Sequence, residues 1–377
     1  MLRQGVTTAC GGNCGIQNQT LADFKKTIGK SGGSPVNYLM MAGYNQCRYR
    51  LGIGHKEIIN SEQKKQIHAM IEAELSEGAC GISFGIEYDP AITYEEILDA
   101  LKLLKGDSRY LASAHFRESD SGAVSAINEM AALCRESGVK FQISHLVSCA
   151  ATGFMDDALK IINQEMKGSN LLSYDTYPYN AFSTTIGSAV FEKESLNQWC
   201  KDIGTIMLTE EPYLNMFCTE ELLQNARREF PEMLAVGFIM DEDEVKKAIA
   251  NPYGMIASDG ILFHGKGHPR ASGTFPRVLG KYVREEKALS LIDALRKMTL
   301  LPAERLSLKA KGRIEAGCDA DFVIFDPATI SDGATYDNIY IDSEGIDYVI
   351  INGKIAIDHK KMVNDRSGSF IPFNFYK

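Results

Sequence analysis

The sequence predicts an α/β protein built on a parallel sheet, either closed into a barrel or open and doubly wound. Three observations carry that expectation. Short apolar runs alternate with amphipathic stretches along most of the 377 residues. The runs are apolar on both faces and punctuated by glycine, as strands covered on both sides by helices must be. Several of them close on a polar residue, at the strand end where ligands gather in parallel α/β sheets.

In chain order, strands are expected at 5–14, 36–43, 79–84, 110–115, 140–145, 170–176 and 254–259. Between them, 61–77 reads as a helix opening at Ser61, an N-cap candidate, and stopping at Gly78; 120–137 stops likewise at Gly138. The interval 187–253, with Trp199, two prolines and a helical stretch at 241–250, carries no strand of the parallel type and reads as an insertion or lid. That leaves seven strands, whereas a closed barrel of this kind needs eight. After 306 the texture changes. Asp321–Pro327 and Gly345–Gly353 read as strands of a small β module, with Asn352-Gly353 as a type I′ turn into a returning strand at 354–358. The expected division is therefore 1–306, a module at 307–362 and a tail at 363–377.

Composition is that of a globular protein, with 45% hydrophobic and 24% charged residues. A net charge of -9 and a pI near 5.4 argue against a nucleic-acid partner, which needs a basic footprint. No apolar run approaches the ~20 residues of a membrane span, and no secretory leader opens the chain. Nine scattered cysteines, among them Cys80, Cys134 and Cys218 in apolar contexts, suit reduced thiols of a cytoplasmic protein better than a disulfide framework.

Four strand-closing residues carry the chemistry: Cys14, His115, His145 and Asp259. A single cysteine or histidine in such a place is more often a packed core residue than a ligand. Here glycines flank Cys14, and His145 follows His115 by one βα unit, which brings the imidazoles to adjacent strands. A thiolate and two imidazoles are a zinc-type donor set. Asp259 suits a general base that takes the proton of an attacking water and returns it to the leaving amine. Cys10 is expected to be a buried small hydrophobe.

With these residues in place, the chain resembles the N-acyl-D-amino-acid deacylase (D-aminoacylase) branch of the amidohydrolase superfamily. The ordered set that carries the resemblance includes Gly5-Val-Thr-Thr with Gly12-Asn-Cys-Gly15, Gln142-Ile-Ser-His145, Tyr177-Pro-Tyr179, Ser258-Asp-Gly260, His268-Pro-Arg270 and Gly273-Thr-Phe-Pro-Arg-Val-Leu-Gly280. It implies a TIM-type (β/α)8 metal-dependent hydrolase barrel with a small β-sandwich domain. It implies one zinc held tightly by Cys14, His115 and His145, with the cysteine in place of the superfamily's bridging carboxylated lysine, and Asp259 as the catalytic carboxylate. Arg270, with Tyr179, is expected to grip the substrate carboxylate, since a bidentate guanidinium suits a planar anion. The dull readings are a surface ion pair for Arg270 and a core aromatic for Tyr179.

The family's His-x-His strand end has no counterpart here, the third strand leads into Gly43-Tyr44-Asn45, and Leu146-Val147-Ser148 follows His145 without a lysine. The expectation is thus a barrel lacking its first strand, part of the β-sandwich, no second metal site, and an unfilled gap beside the second and eighth strands. Val323, Phe325 and Val349 are then expected to be only partly covered. The expected activity is zinc-dependent hydrolysis of an N-acyl-D-amino acid to a carboxylate and a D-amino acid. The alternative is a truncated, degenerate homologue that binds metal or a partner without turnover. A small-molecule substrate is the expected partner, and a homo-oligomer is compatible with the sequence.

Overall fold

The computed structural model describes residues 1–197 and 201–373; Trp199 and the end of the tail lie outside the described residues. A run of parallel strands forms the frame. Strand β1 (Thr8–Gly11) pairs with β2 (Asn37–Met40), which continues past Met41 as β3 (Ala42–Gly43) and there pairs with β4 (Gly81–Gly85). Next come β5 (Leu111–His115), β6 (Lys140–Ile143) and β7 (Leu172–Thr176), each parallel to the one before. Every residue of β4 is buried. A Cβ on Gly81 would stand 1.7 Å from the Leu111 carbonyl, so only glycine fits that register.

After β7 the chain builds a separate antiparallel sheet from β8 (Phe182–Thr185), β9 (Ile206–Leu208) and β10 (Leu234–Gly237), with β10 central. None of these three joins the parallel run. The chain then returns to that run as β11 (Gly254–Ile256), parallel to β7. Seven segments, counting β2 and β3 as one, therefore follow one another, and among the described residues β1 and β11 each pair on one side only. The short hairpin β12 (Leu262–Phe263) and β13 (Lys266–Gly267) follows, with β13 against β10.

Helices cover the outside. The helix Ser61–Ser76 is capped by Asn60, not Ser61: its amide oxygen accepts from the Glu62 and Gln63 amides while Gln63 reaches back, a reciprocal box that a serine one residue later could not close. The helix Ala123–Ser137 ends at Gly138 with φ 70°. Arg305, at the end of the helix Leu300–Arg305, is buried under the sheet and donates to the Phe141, Asn170 and Leu171 carbonyls and to Gln142 Oε1, so one guanidinium ties β6 to β7.

The module is an antiparallel sheet of β14 (Phe322–Phe325), β15 (Ile346–Ile351), β16 (Lys354–Asp358) and β17 (Lys361–Met362). Asn352 and Gly353 have φ 51° and 74°, as a type I′ turn demands. Val323 and Phe325 are half-buried, but Val349 is fully buried, against expectation, because the N-terminal turn Leu2–Gln4 packs over β15 and β16. Gln4 Nε2 also donates to the Ala271 carbonyl at 2.8 Å. The tail returns to the frame, where the Ile371 amide donates to the Tyr38 carbonyl and Phe373 stacks on Tyr110. Cys10 is exposed rather than buried, with its Sγ 3.7 Å from that of Cys80. No described helix is long and apolar enough to cross a membrane.

Candidate metal centre and cleft

The loop after β1 turns through Gly12 (φ 77°) and delivers Cys14 in a left-handed conformation (φ 51°). It is tied to the sheet by serines: the Ser113 and Ser144 hydroxyls donate to Asn13 Oδ1, and the Ser83 hydroxyl bridges the Gly15 amide and the Gly12 carbonyl. His115 is the last residue of β5. His145 follows β6 in a left-handed conformation (φ 37°), its amide donating to Asp175 Oδ1 at 2.7 Å. Three expected donors thus converge. Cys14 Sγ and one ring nitrogen from each histidine all lie within 4.8 Å of one another, with Cys14 Sγ 3.2 Å from His145 Nε2.

This donor set fits a zinc ion. A thiolate with two imidazoles leaves a coordination position open, as catalytic zinc sites do. His115 Nδ1 is buried with no hydrogen-bond partner, while its Nε2 meets the Glu87 carboxylate, which holds the ring and leaves Nδ1 free for a metal. The electrostatics point the same way. Burial would raise the Cys14 thiol, but His145 and His115 outweigh it and hold the group below its ordinary value. Burial would likewise depress the two imidazoles. Tyr88 and Cys149 raise His115, and Asp259 and Cys14 raise His145, each well above the ordinary value.

Asp259 lies just past β11, again left-handed (φ 45°), and its Oδ2 pairs with Arg270 Nη2 at 2.9 Å. Arg270 is buried. It also donates to the Ser183 carbonyl and lies over the Tyr177 ring at 4.6 Å, while its Nε and Nη1 have no partner. His268 holds it from behind: the Arg270 amide donates to His268 Nδ1, and burial with the Arg270 charge keeps this imidazole well below its ordinary value, hence neutral. Tyr179 stands apart from the cleft, edge-on to His268 and under Arg277. It is Tyr177, two residues earlier, that faces Arg270.

The cleft holds about 400 Å³ of space, its open mouth included. His115, His145, Asp259 and Arg270 form one side; Phe182, Ser183, Val190 and Ile239 come from the 178–240 region. Glu87, Ser148, Cys149 and Asp120 escaped the sequence reading. Ser148 Oγ lies 2.6 Å from His145 Nδ1, and Cys149 Sγ 3.8 Å from the same atom. The spacing of Cys149, four residues past His145 on one helical turn, was the available signal.

The amidohydrolase family matches residues 1–356. D-aminoacylase of Alcaligenes xylosoxydans xylosoxydans is 31% identical over 97% of this chain and 81% of its own length. N-acyl-D-aspartate deacylase of the same organism is 28% identical over 98% and 79%. The crystal structure of N-acyl-D-glutamate deacylase from Bordetella bronchiseptica, complexed with zinc and a phosphonate inhibitor, superposes with a TM-score of 0.86 at 26% identity, covering 98% of this chain and 83% of that one.

Proposed function

The chain belongs to the amidohydrolase family, in the branch of the D-aminoacylases, and from that premise we propose that it hydrolyses the amide bond of an N-acyl-D-amino acid. The observation that carries the reading is the convergence of Cys14, His115 and His145 beside an Asp259–Arg270 pair in one cleft. A bound zinc ion supplies Lewis acidity, polarising the scissile carbonyl and lowering the pKa of water.

The protein's own groups do the rest. Asp259 accepts the proton of the attacking water and delivers it to the leaving amine. Arg270 has donors at Nε and Nη1 with no partner; they lie on different edges of the guanidinium, so one of them receives an oxygen of the substrate carboxylate while Nη2 keeps hold of Asp259. The aromatic ring of Tyr177 and the His268 contact fix the guanidinium plane. Glu87 and Ser148 orient the two imidazoles through the ring nitrogens not turned to Cys14. The test is release of acetate from N-acetyl-D-amino acids, with their L-isomers as controls, by protein assayed with and without added zinc. No release with zinc from any D-substrate overturns the proposal and favours a metal-binding homologue without turnover.

A further inference from the structure

Asp120 is a carboxylate that the proposed chemistry does not use. It lines the cleft, is 1% exposed, and its Oδ1 has no hydrogen-bond partner. Burial outweighs the Thr152 hydroxyl, its favourable neighbour. Burial pushes the carboxyl up to about 6, and no hydrogen bond or ion pair among the described residues reaches its Oδ1. A buried, unpaired charge costs several kcal/mol, and groups kept in that condition cluster at functional sites. Glu87, on the same wall, accepts from the Ser119 hydroxyl at 2.8 Å and is already engaged with His115 Nε2, which leaves Asp120 as the unpartnered carboxylate there. The only Arg or Lys among the described residues that line the cleft is Arg270, which already faces Asp259.

We propose that Asp120 is a specificity-determining residue that receives a cationic group of the substrate, an ammonium or guanidinium, and that the cleft disfavours acidic side chains there. This rests on the deacylase reading and deepens it. Recognition is then two-ended. Arg270 takes the carboxylate of the amino acid, and Asp120 takes a positive charge carried on the amino acid's side chain or on the acyl group. An N-acyl-D-aspartate or N-acyl-D-glutamate would instead bring a second carboxylate toward a like charge, a juxtaposition that costs binding.

The experiment compares zinc-loaded protein on two substrate pairs that differ only by a terminal ammonium. One pair is N-acetyl-D-lysine and N-acetyl-D-norleucine; the other is N-(6-aminohexanoyl)-D-alanine and N-hexanoyl-D-alanine. N-acetyl-D-glutamate is the acidic control. The expected result is about tenfold higher kcat/KM for the ammonium-bearing member of one pair, as one charge-assisted contact supplies about 1.4 kcal/mol. Which pair shows it tells whether the cation sits on the side chain or on the acyl group. N-acetyl-D-glutamate should be the poorest substrate, and Asp120→Asn should erase the advantage while retaining a cooperative melt. Equal rates within both pairs, preference for the acidic substrate, or an advantage that survives in folded Asp120→Asn overturns the inference and leaves the deacylase reading standing. If that variant does not fold, the wild-type pairs decide alone. If no substrate is hydrolysed, the deacylase reading fails, and calorimetric binding of the same two pairs decides the charge preference.

Discussion

A left-handed backbone is unfavourable for residues with a side chain, by roughly 1–3 kcal/mol when the surroundings force it. Cys14, His145 and Asp259 all adopt it within three residues of a strand end. That conformation turns the chain sharply at the strand end, so each side chain projects over the mouth of the frame instead of continuing the alternation of the strand. Cys14→Ala should therefore preserve the fold yet abolish zinc retention, read by metal analysis after dialysis; retained stoichiometric zinc would remove Cys14 from the donor set. Asp259→Asn keeps the shape and the amide can still meet Arg270, so zinc content should survive while kcat falls by roughly 10²–10⁴-fold. Unchanged turnover would exclude Asp259 as the base. These residues were legible in the sequence because each closes an apolar run. Glu87 and Asp120 were not, because they lie in polar connecting segments whose composition resembles any solvated loop. Tyr177 and Tyr179 share one short motif, and only the backbone path separates the residue under Arg270 from the residue under Arg277.

At the scale of elements, all seven expected strands appear within a few residues of their expected bounds, since period and glycine punctuation depend on local chemistry. Two features depended on partners far along the chain and escaped. The strand expected at 36–43 is interrupted at Met41, serving β1 with its first half and β4 with its second. The tie between β6 and β7 comes from Arg305, more than 130 residues beyond Asn170. Arg305 is 9% exposed and, through burial, its pKa is lowered to about 10. Arg305→Ala would strip a donor from the buried Phe141 carbonyl and from Gln142 Oε1, whereas the Leu171 carbonyl keeps the Phe141 amide and Asn170 is exposed to solvent. Each such weakened buried acceptor costs about 1–3 kcal/mol, so the variant should lose about 2 kcal/mol or more of stability in urea unfolding. A loss below about 1 kcal/mol would show that water replaces the guanidinium there.

For the whole molecule, the alkaline limb of stability follows from the buried acids. Burial pushes Cys47 and Cys134 up to about 12 from 9.0, and Tyr177 up to about 12 from 10.0. Between those values the unfolded chain sheds protons that the folded chain keeps, so stability falls as pH rises. Lys140 and Lys297, lowered by burial to about 8 from 10.5, work in the opposite direction up to pH 10.5. The raised thiols and phenols outnumber them, and thermal melts should drop steeply above about pH 10; a flat profile to pH 11 would mean that these thiols and phenols ionise without unfolding the protein. The unpaired edges of β1 and β11 bear on mechanics. Cys14 follows one edge strand and Asp259 the other, whereas His115 and His145 belong to strands laddered on both sides. The frame is therefore a split hoop, with half of its chemistry standing on the lips of the split. A metal gripping Cys14, His115 and His145 would act as a rivet from one lip to the rigid side, and the other lip would stay sprung, restrained through Arg270. Metal loading should then slow amide hydrogen exchange in β1 far more than in β11, so that the thiolate is held still while the base retains its travel.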